Sequence, residues 1–214
     1  MFLSGETLRK FVLENHVISP PPDVTADEHL SLLFDKIGFE LTVGDEVYSS
    51  STETPERLKD RQTVTINPGE FTIVSTAERL RIPTGKIGFV SMKFFWTGLG
   101  LINVSGFHVN PGFSGNFVFA VYNAGPTPVT IRRLEPMFML FLAEITDPQE
   151  YEGEHQGQVG IPVRMITTLK GPPVSLRNLA DRVSSLENYN RVFIGVIGSL
   201  LAAVIAAIFR LVAR

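Results

Sequence analysis

Short stretches of alternating hydrophobic and polar residues run between residues 40 and 145, and turn-forming residues separate them. This alternation is typical of half-buried β-strands, because successive side chains point to opposite faces. Turns rich in Asn, Pro and Gly lie at residues 67–69, 83–85, 110–112 and 123–126. The spacing predicts a mainly β fold of the barrel or jelly-roll type, without intervening helices. The predicted strands cover residues 40–43, 63–66, 71–75, 87–92, 101–104, 117–122, 129–131 and 138–145.

The segments around these strands carry other signals. Ser4 is placed to cap a first helix whose apolar residues Leu8, Phe11 and Val12 share one face. Consecutive prolines predict that this helix ends before an extended segment. The extended segment is residues 18–23. The polar residues 49–60 predict an exposed loop, and the polar residues 146–173 predict a mobile arm with a linker.

The C-terminal part of the chain is apolar without alternation. Residues 192–209 contain no charge and lie between Arg191 and Arg210. As a helix they extend about 27 Å, the thickness of a bilayer's hydrocarbon core. The alternative, a buried core helix, fits a small β domain poorly. The first ten residues lack the apolar run of a signal peptide, and basic residues are more frequent before the span than after it. We therefore predict a single-pass, tail-anchored membrane protein with its β domain in the cytoplasm.

Spacing within and before this span predicts an oligomer. Apolar residues recur in steps of three and four, as in a coiled coil that continues into the membrane. Small residues recur every four positions, which allows membrane helices to approach closely, although Ala and Gly are also simply common there. The first series is Leu176, Leu179, Val183, Leu186, Asn190, Phe193, Ile197, Leu200 and Val204. The second comprises Gly195, Ser199, Ala203 and Ala207, with Gly198, Ala202 and Ala206.

Composition excludes several classes of protein. With 19 basic and 22 acidic side chains the net charge is −3, which gives no positive field for nucleic acid. The chain has no cysteine, and this excludes disulfides, thiol catalysis and a Cys-ligated zinc site. Its four histidines lack the spacing of metal ligands, so we expect no metal site. They are His16, His29, His108 and His155.

Several segments, taken in order, resemble the dCTP deaminase branch of the dUTPase-like superfamily. The similarity covers about residues 1–165 and depends on the order of the motifs. It implies a distorted β-barrel that trimerises, with nucleotide pockets between subunits. The segments are residues 1–4 (MFLS), 18–22 (ISPPP), 40–48 (ELTVGDEVY), 67–71 (NPGEF), 77–83 (AERLRIP), 109–115 (VNPGFSG), 122–123 (YN) and 151–160 (YEGEHQGQVG).

The resemblance also implies that the chemistry of active members is missing. Their Ser-Ser-x-x-Arg element, which contacts the triphosphate, falls on Phe94, Phe95 and Gly98. Neutral rings cannot donate hydrogen bonds to phosphate. Their hairpin Asp corresponds to Asn110, and their general-base Glu to Ala120.

The family's C-terminal arm departs from its pattern as well. Glu154 and His155 stand where that arm has a Lys that contacts phosphate and a Tyr. Phe94, Phe95 and Trp96 are expected to pack between subunits rather than on a base. Hence we predict no catalytic residue. The candidate nucleotide-binding residues are Lys93, Thr97, Val109, Asn110, Pro111, Gly112, Phe113, Gln156 and Gln158.

Together these features suggest a catalytically inactive, membrane-anchored homotrimer that senses a pyrimidine deoxynucleotide or serves as a membrane scaffold. No cofactor is predicted beyond Mg²⁺ as a nucleotide counter-ion. The alternatives are an active membrane-tethered dCTP deaminase or dUTP pyrophosphatase, and an oligomeric pore former. The predicted parts are a β-barrel domain at 1–150, an arm and linker at 151–173, a coiled-coil stalk at 174–191 and a transmembrane helix at 192–212.

Overall fold

The computed structural model describes residues 1–168 and 176–212, which fall into two compact units, 1–173 and 174–214. Part of the predicted linker (169–173), the first residues of the predicted stalk (174–175) and the last two residues (213–214) lie outside the described residues.

The first unit is built on a curled nine-stranded sheet and a separate two-stranded sheet. The larger sheet follows the order β7-β9-β5-β2-β11-β6-β8, with β1 on β5 and β3 on β2; the smaller sheet pairs β4 with β10. The predicted mainly β fold is thereby confirmed. The strands are β1 Ile18–Ser19, β2 Phe39–Ser49, β3 Pro55–Arg57, β4 Thr63–Ile66, β5 Phe71–Arg81, β6 Lys86–Met92, β7 Leu101–Asn103, β8 His108–Val109, β9 Ser114–Asn123, β10 Val129–Arg132 and β11 Pro136–Glu144.

Alternation along the long strands explains which face becomes the core. In β9, Phe119 and Val121 are buried while Val118 and Ala120 are only partly covered on the opposite, outer face. The Phe119 ring stacks on Phe138 of β11 inside the curl. One large apolar core therefore fills the inner face, and the outer face is available for other contacts.

Four helices accompany the sheets: α1 Gly5–Glu14, α2 Ala26–Leu33, α3 Phe94–Gly98 and α4 Val163–Thr168. Helix α1 follows Ser4 as predicted, but the Ser4 side chain makes no capping hydrogen bond. The expectation of no helices between the predicted strands is wrong for α3, and α2, which precedes the first of them, was not predicted. The predicted loop at 49–60 contains β3 and the buried Leu58.

The second unit is the single helix α5, Leu176–Val212. Its 37 residues correspond to about 55 Å of helix axis. Within the described residues, one helical stretch, Leu179–Ile208, is long and apolar enough to cross a membrane, and none of its most apolar window is buried. The helix continues without interruption from the predicted stalk into the predicted span.

Candidate functional site

The turn between β8 and β9 carries most of the predicted nucleotide-binding residues, and we keep the name hairpin for it, after the predicted motif. The expectation of a paired hairpin is wrong, because β8 pairs with β6 whereas β9 pairs with β5 and β7. The turn is closed by the Phe113 N–H, which donates to the Asn110 carbonyl at 3.2 Å. Gly112 has φ +77°, and a Cβ there would lie 2.6 Å from the Tyr151 nitrogen. Both the left-handed backbone and the close approach require glycine. The turn is thus shaped jointly by its own sequence and by the segment around Tyr151.

Ile82, the residue that follows β5, fixes the hairpin from the other side. The Gly112 N–H donates to the Ile82 carbonyl at 3.0 Å, and the Ile82 N–H donates to the Phe113 carbonyl at 2.8 Å. The buried Phe113 ring meets the Tyr151 ring edge-on, with centroids 5.8 Å apart. The hairpin's backbone groups are therefore held in defined positions.

The arm, residues 151–161, runs along the beginning of β9. The Gly157 N–H donates to the Ser114 carbonyl at 2.7 Å, and the Asn116 N–H donates to the Gln158 carbonyl at 2.8 Å. The arm is thus hydrogen-bonded to the sheet in this structure, and its predicted mobility stays a prediction. Backbone groups of β9 provide hydrogen-bond partners that the arm's polar composition does not reveal.

Two predicted binding residues of the arm also bond to the hairpin backbone. The Gln156 side chain accepts from the Ser114 N–H at 2.9 Å and donates to the Gly112 carbonyl at 3.1 Å. The Gln158 side chain donates to the Asn116 carbonyl at 3.2 Å. In this structure both amides hold the arm on the hairpin.

A pocket of about 230 Å³ lies between hairpin and arm. It is smaller than the roughly 300–1,000 Å³ typical of small-molecule sites, so it suits a group the size of a pyrimidine ring. The predicted residues Val109, Asn110, Phe113 and Gln158 line it; Gly112 and Gln156 line a neighbouring cavity of about 830 Å³, and Pro111 lines neither. The described residues that line it are Ser105, Gly106, His108, Val109, Asn110, Phe113, Phe117, Val118, Tyr151, His155, Gln158 and Met165.

The remaining predicted binding residues do not join this pocket. Lys93 is not in a strand but precedes α3, and its ammonium group pairs with Glu40. The Thr97 hydroxyl donates to the Phe94 carbonyl at 3.0 Å within α3. The predicted nucleotide-binding residues therefore lie in two separate places, the hairpin with its arm and the region of α3.

The three aromatic residues of α3 differ in burial. Phe94 and Phe95 are 87% and 61% exposed. Trp96 is buried in its own chain, where its indole N–H donates to the Pro136 carbonyl at 2.9 Å. The expectation that all three rings pack between subunits is wrong for Trp96, because its polar edge needs a fixed acceptor inside the fold.

Ala120, where the resemblance predicts the family's general-base position, lies on the outer face of β9 opposite Ile73. Its N–H donates to the Ser105 hydroxyl at 2.5 Å, and Ser105 lines the pocket. None of the twelve described residues that line the pocket is Asp or Glu. The ionisable side chains there are His108, Tyr151 and His155.

Charges near the arm pair with one another. The Glu154 carboxylate lies 3.0 Å from the Arg164 guanidinium and 3.8 Å from the His155 ring. Within residues 1–168 and 176–212, no three His, Asp or Glu side chains form a group able to hold a metal ion.

A buried carboxylate that the sequence analysis did not single out orders the wall behind the hairpin. Glu78 of β5 is fully buried, and it accepts from the Thr42 N–H at 2.8 Å and from the Thr42 hydroxyl at 2.6 Å. Its other neighbour is the His29 ring of α2 at 2.7 Å. Glu78 and Thr42 both lie in segments that carry the family resemblance, and α2 is the element that supplies their third partner.

Glu46 is the second residue that sequence reasoning missed. Its carboxylate accepts from the Ile161 N–H at 2.7 Å and from Arg57 at 2.6 Å. Gly160 has φ +63°, and a Cβ there would overlap the Glu46 carboxylate. The glycine that ends the arm motif was the available signal of this approach.

The neighbouring Tyr48 is fully buried. Burial raises the pKa of its hydroxyl, and the Glu53 carboxylate raises it further.

A sequence model of the dCTP deaminase-like family matches residues 23–145. The dCTP deaminase of Pyrobaculum aerophilum is 26% identical over 187 residues, covering 83% of this chain and 99% of that enzyme. The dCTP deaminase of Metallosphaera sedula is 35% identical over 102 residues, covering 47% of this chain and 58% of that enzyme.

The crystal structure of 2'-deoxycytidine 5'-triphosphate deaminase from Agrobacterium tumefaciens has a similar fold. The TM-score is 0.55 at 14% identity, over 67% of this chain and 48% of that one. The chain thus spans about half the length of the Agrobacterium protein.

Proposed function

The chain belongs to the dCTP deaminase-like family. We propose that it is a membrane-anchored trimer that binds a pyrimidine deoxynucleotide without deaminating it. In this role the nucleotide is a signal and not a substrate. The predicted stalk at 174–191 joins the nucleotide-binding domain to the predicted transmembrane helix at 192–212.

One observation carries the proposal: the hairpin and arm form a base-sized pocket whose described lining contains no carboxylate. Deamination needs a group that activates water, and the family's Glu position is Ala120. Loss of a positioned general base typically lowers a rate by about 100- to 10,000-fold. Recognition of a base through backbone N–H and carbonyl groups needs no such residue.

The positions of the family's phosphate contacts support the same view. The exposed Phe94 and Phe95 stand where the family pattern has two serines, and Gly98 stands where it has an arginine. A guanidinium binds phosphate through two parallel hydrogen bonds, which these residues cannot make. Glu154 stands where the family's arm has a lysine, so the arm lacks that positive contact for a phosphate.

Membrane anchorage and assembly follow from apolar surface that the single chain leaves uncovered. The apolar residues of α5 that the structure describes, from Leu179 to Leu211, are exposed. A helix apolar on every side is stable in a bilayer, and its heptad-like series packs against other copies. Nucleotide binding between subunits then changes their packing and so biases the attached helices.

Binding is tested by isothermal titration of the full chain in detergent micelles with dCTP, dUTP, dTTP, CTP and ATP. We expect heat with a pyrimidine deoxynucleotide at one site per chain and none with ATP. If no nucleotide gives heat, the sensor role is excluded and a membrane scaffold remains.

Anchorage is tested by membrane fractionation after carbonate washing. The double variant Leu201→Arg/Ile205→Arg places two charges in the middle of the span, each costing about 2.5–3.5 kcal/mol of insertion free energy. We expect most of the variant in the soluble or aggregated fraction, while the matched control Leu201→Val/Ile205→Val stays with the membrane. Equal retention of both variants would contradict membrane spanning by α5.

An active membrane-tethered deaminase is a second candidate, favoured by one observation. His108 and His155 line the pocket, and histidine is the commonest general base. This candidate predicts ammonia release from dCTP that is abolished by His108→Gln or His155→Gln.

A further inference from the structure

Helix α5 carries a narrow apolar face where it approaches and enters the predicted membrane span. We name this face the seam and label its heptads a to g. At about 100° of rotation per residue, its six side chains fall within a sector of about 80°. The five apolar ones are 41–64% exposed, so the described part of the chain leaves the seam largely uncovered. The seam comprises Val183, Asn190 and Ile197 at position a, and Leu179, Leu186 and Phe193 at position d.

Charges on the two flanks of the seam point to a second copy of this chain as its partner. Arg182 lies at position g on one flank, and Glu187 lies at position e on the other. In a parallel coiled coil, position g of one helix faces position e of the next heptad in its partner. Arg182 of each copy therefore faces Glu187 of the other. Neither side chain has an ion-pair partner within residues 1–168 and 176–212.

Asn190 determines how the two copies are aligned. It is the polar residue of the seam and lies just before the predicted span, which begins at Val192. Packing removes water from its amide, and the same amide of an aligned copy supplies both a donor and an acceptor. A shift by one heptad places the amide against Val183 or Ile197, where it is left unsatisfied. A single asparagine at position a thus selects one register at some cost in stability.

The apolar residues of the seam favour two strands. A β-branched residue at position a with leucine at position d is the pattern of parallel dimers, whereas isoleucine at position d shifts the preference to three or four strands. Position a has Val183 and Ile197, and position d has Leu179 and Leu186. The helix therefore favours pairs, although the β domain is proposed to form trimers.

We propose that residues 179–197 pair with the same residues of a second copy in a parallel, in-register, two-stranded coiled coil. The parallel direction agrees with two spans that enter the membrane from one side. A consequence of pairing rests on the trimer of the proposed function. Three helices cannot all pair within one trimer, so at least one pairs with a helix of a neighbouring trimer. The pairs then link trimers into membrane clusters of even chain number, and several such links together bind more tightly than one.

Disulfide mapping tests the seam, and each variant carries a single thiol because the chain contains no cysteine. Leu186→Cys places the thiol in the seam, and the control Asn188→Cys places it on the opposite side of the helix. The full chain is reconstituted in phosphatidylcholine vesicles and oxidised with copper phenanthroline. We expect covalent pairs to form about tenfold faster or more in Leu186→Cys, because only this thiol meets its copy at bonding distance. Equal rates overturn the seam as the contact.

The final yield of the same reaction determines the number of strands. In a two-stranded coil every chain has a partner, so we expect nearly all of Leu186→Cys to become covalently paired. In a three-stranded coil one chain of each group stays unpaired, and the yield stops near two thirds until chains exchange. A plateau at that lower value overturns the two-stranded coil.

Charge reversal tests the alignment without altering the seam, and so keeps the proposal testable if Leu186→Cys loosens the coil. Pairing is measured by energy transfer between dyes on Asn188→Cys. Arg182→Glu sets like charges opposite each other and should weaken pairing about threefold or more. The exchange Arg182→Glu/Glu187→Arg should restore pairing, and the outer-face control Asp181→Arg should leave it unchanged. Unaltered pairing in Arg182→Glu, or no recovery in the exchange, overturns the parallel alignment.

Mass photometry of the full chain in nanodiscs tests the link between trimers. We expect species of six chains or more. Leu179→Asp/Leu186→Asp disrupts the seam and should leave trimers, whereas the control Ser184→Asp/Ser185→Asp adds the same charge to the outer face and should keep the larger species. A full chain that stops at three copies overturns the proposal. If the helices pair but the largest species has two chains, the trimer of the proposed function fails and the paired helix stands.

Discussion

The hairpin with its arm and helix α3 are the two regions in which the family resemblance places nucleotide contacts, and they differ in the groups that they offer a ligand. The hairpin uses backbone groups, glycines and two glutamine amides, all held by hydrogen bonds within the chain. Phe94 and Phe95 of helix α3 are exposed to solvent, and Lys93, just before the helix, forms an ion pair with Glu40. The first region can bind a ligand through backbone groups, whereas Phe94 and Phe95 of the second offer a ligand only apolar rings. This difference favours a protein that binds over one that catalyses.

The largest expected effect concerns the exposed rings of α3. Phe94→Ser/Phe95→Ser removes apolar area that a trimer interface would bury, worth on the order of 3 kcal/mol per protomer. We expect the full chain to dissociate at concentrations at least tenfold higher, measured by light scattering in detergent. Because both rings are exposed in the single chain, its unfolding midpoint stays nearly constant. An unchanged oligomer would show that α3 is not the interface.

The hairpin is tested by a glycine pair, one from each region. Gly112→Ala places a side chain at φ +77° and 2.6 Å from the Tyr151 nitrogen, so we expect a loss of about 2–4 kcal/mol in the free energy of unfolding and weaker dCTP binding. Gly98→Ala in α3 meets nothing within 4 Å and serves as the matched control. Chemical denaturation measures both. Equal stability of the two variants would show that the hairpin is not locked as described.

Alkaline pH tests the buried hydroxyl of Tyr48. The folded state holds the Tyr48 proton at a pH where the unfolded chain has lost it, since burial raises the pKa of Tyr48 above its ordinary value of 10.0. Its contribution to stability is therefore complete below that pH and falls above it by about 1.4 kcal/mol per pH unit, until the folded-state pKa is passed. Denaturation curves between neutral and alkaline pH should show this loss. We expect this loss of stability to be absent in Tyr48→Phe and to persist in the control variant Tyr122→Phe.

The smallest effect is expected at Lys93. Its pair with Glu40 is partly exposed, so Lys93→Gln should lower the free energy of unfolding by no more than about 1 kcal/mol. Nucleotide affinity measured by calorimetry should change less than tenfold. A loss of nucleotide affinity above a hundredfold would place Lys93 in the binding site and weaken the contrast between the two regions.

Sequence periodicity predicted the strands well where each strand lies between clear turn signals. The predicted strand at 63–66 matches β4, because alternation precedes the Asn67-Pro-Gly turn. Helix α3 was missed because five residues carry little local signal, and burial of Trp96 with its bond to Pro136 selects the helical turn. Such tertiary contacts override local preference.

The candidate site was predictable only in part. Family motifs located the hairpin residues, and Val109, Asn110, Phe113 and Gln158 do meet in one pocket. The packing of the arm and α4 on the sheet was not predictable, since the partners lie far apart in sequence: Glu46 bonds to Ile161, and Met165 packs against the cluster of Tyr48. A polar, glycine-rich segment gives no sign of order until those partners are known.

The most direct test of binding without catalysis is a single-turnover experiment with dCTP and an excess of the full chain in detergent. Ammonia and deoxyuridine nucleotides are quantified by mass spectrometry over several hours, in parallel with calorimetric binding on the same preparation. We expect bound dCTP to be recovered unchanged. Stoichiometric formation of dUTP or dUMP would contradict the proposal that the pocket lacks a functional base.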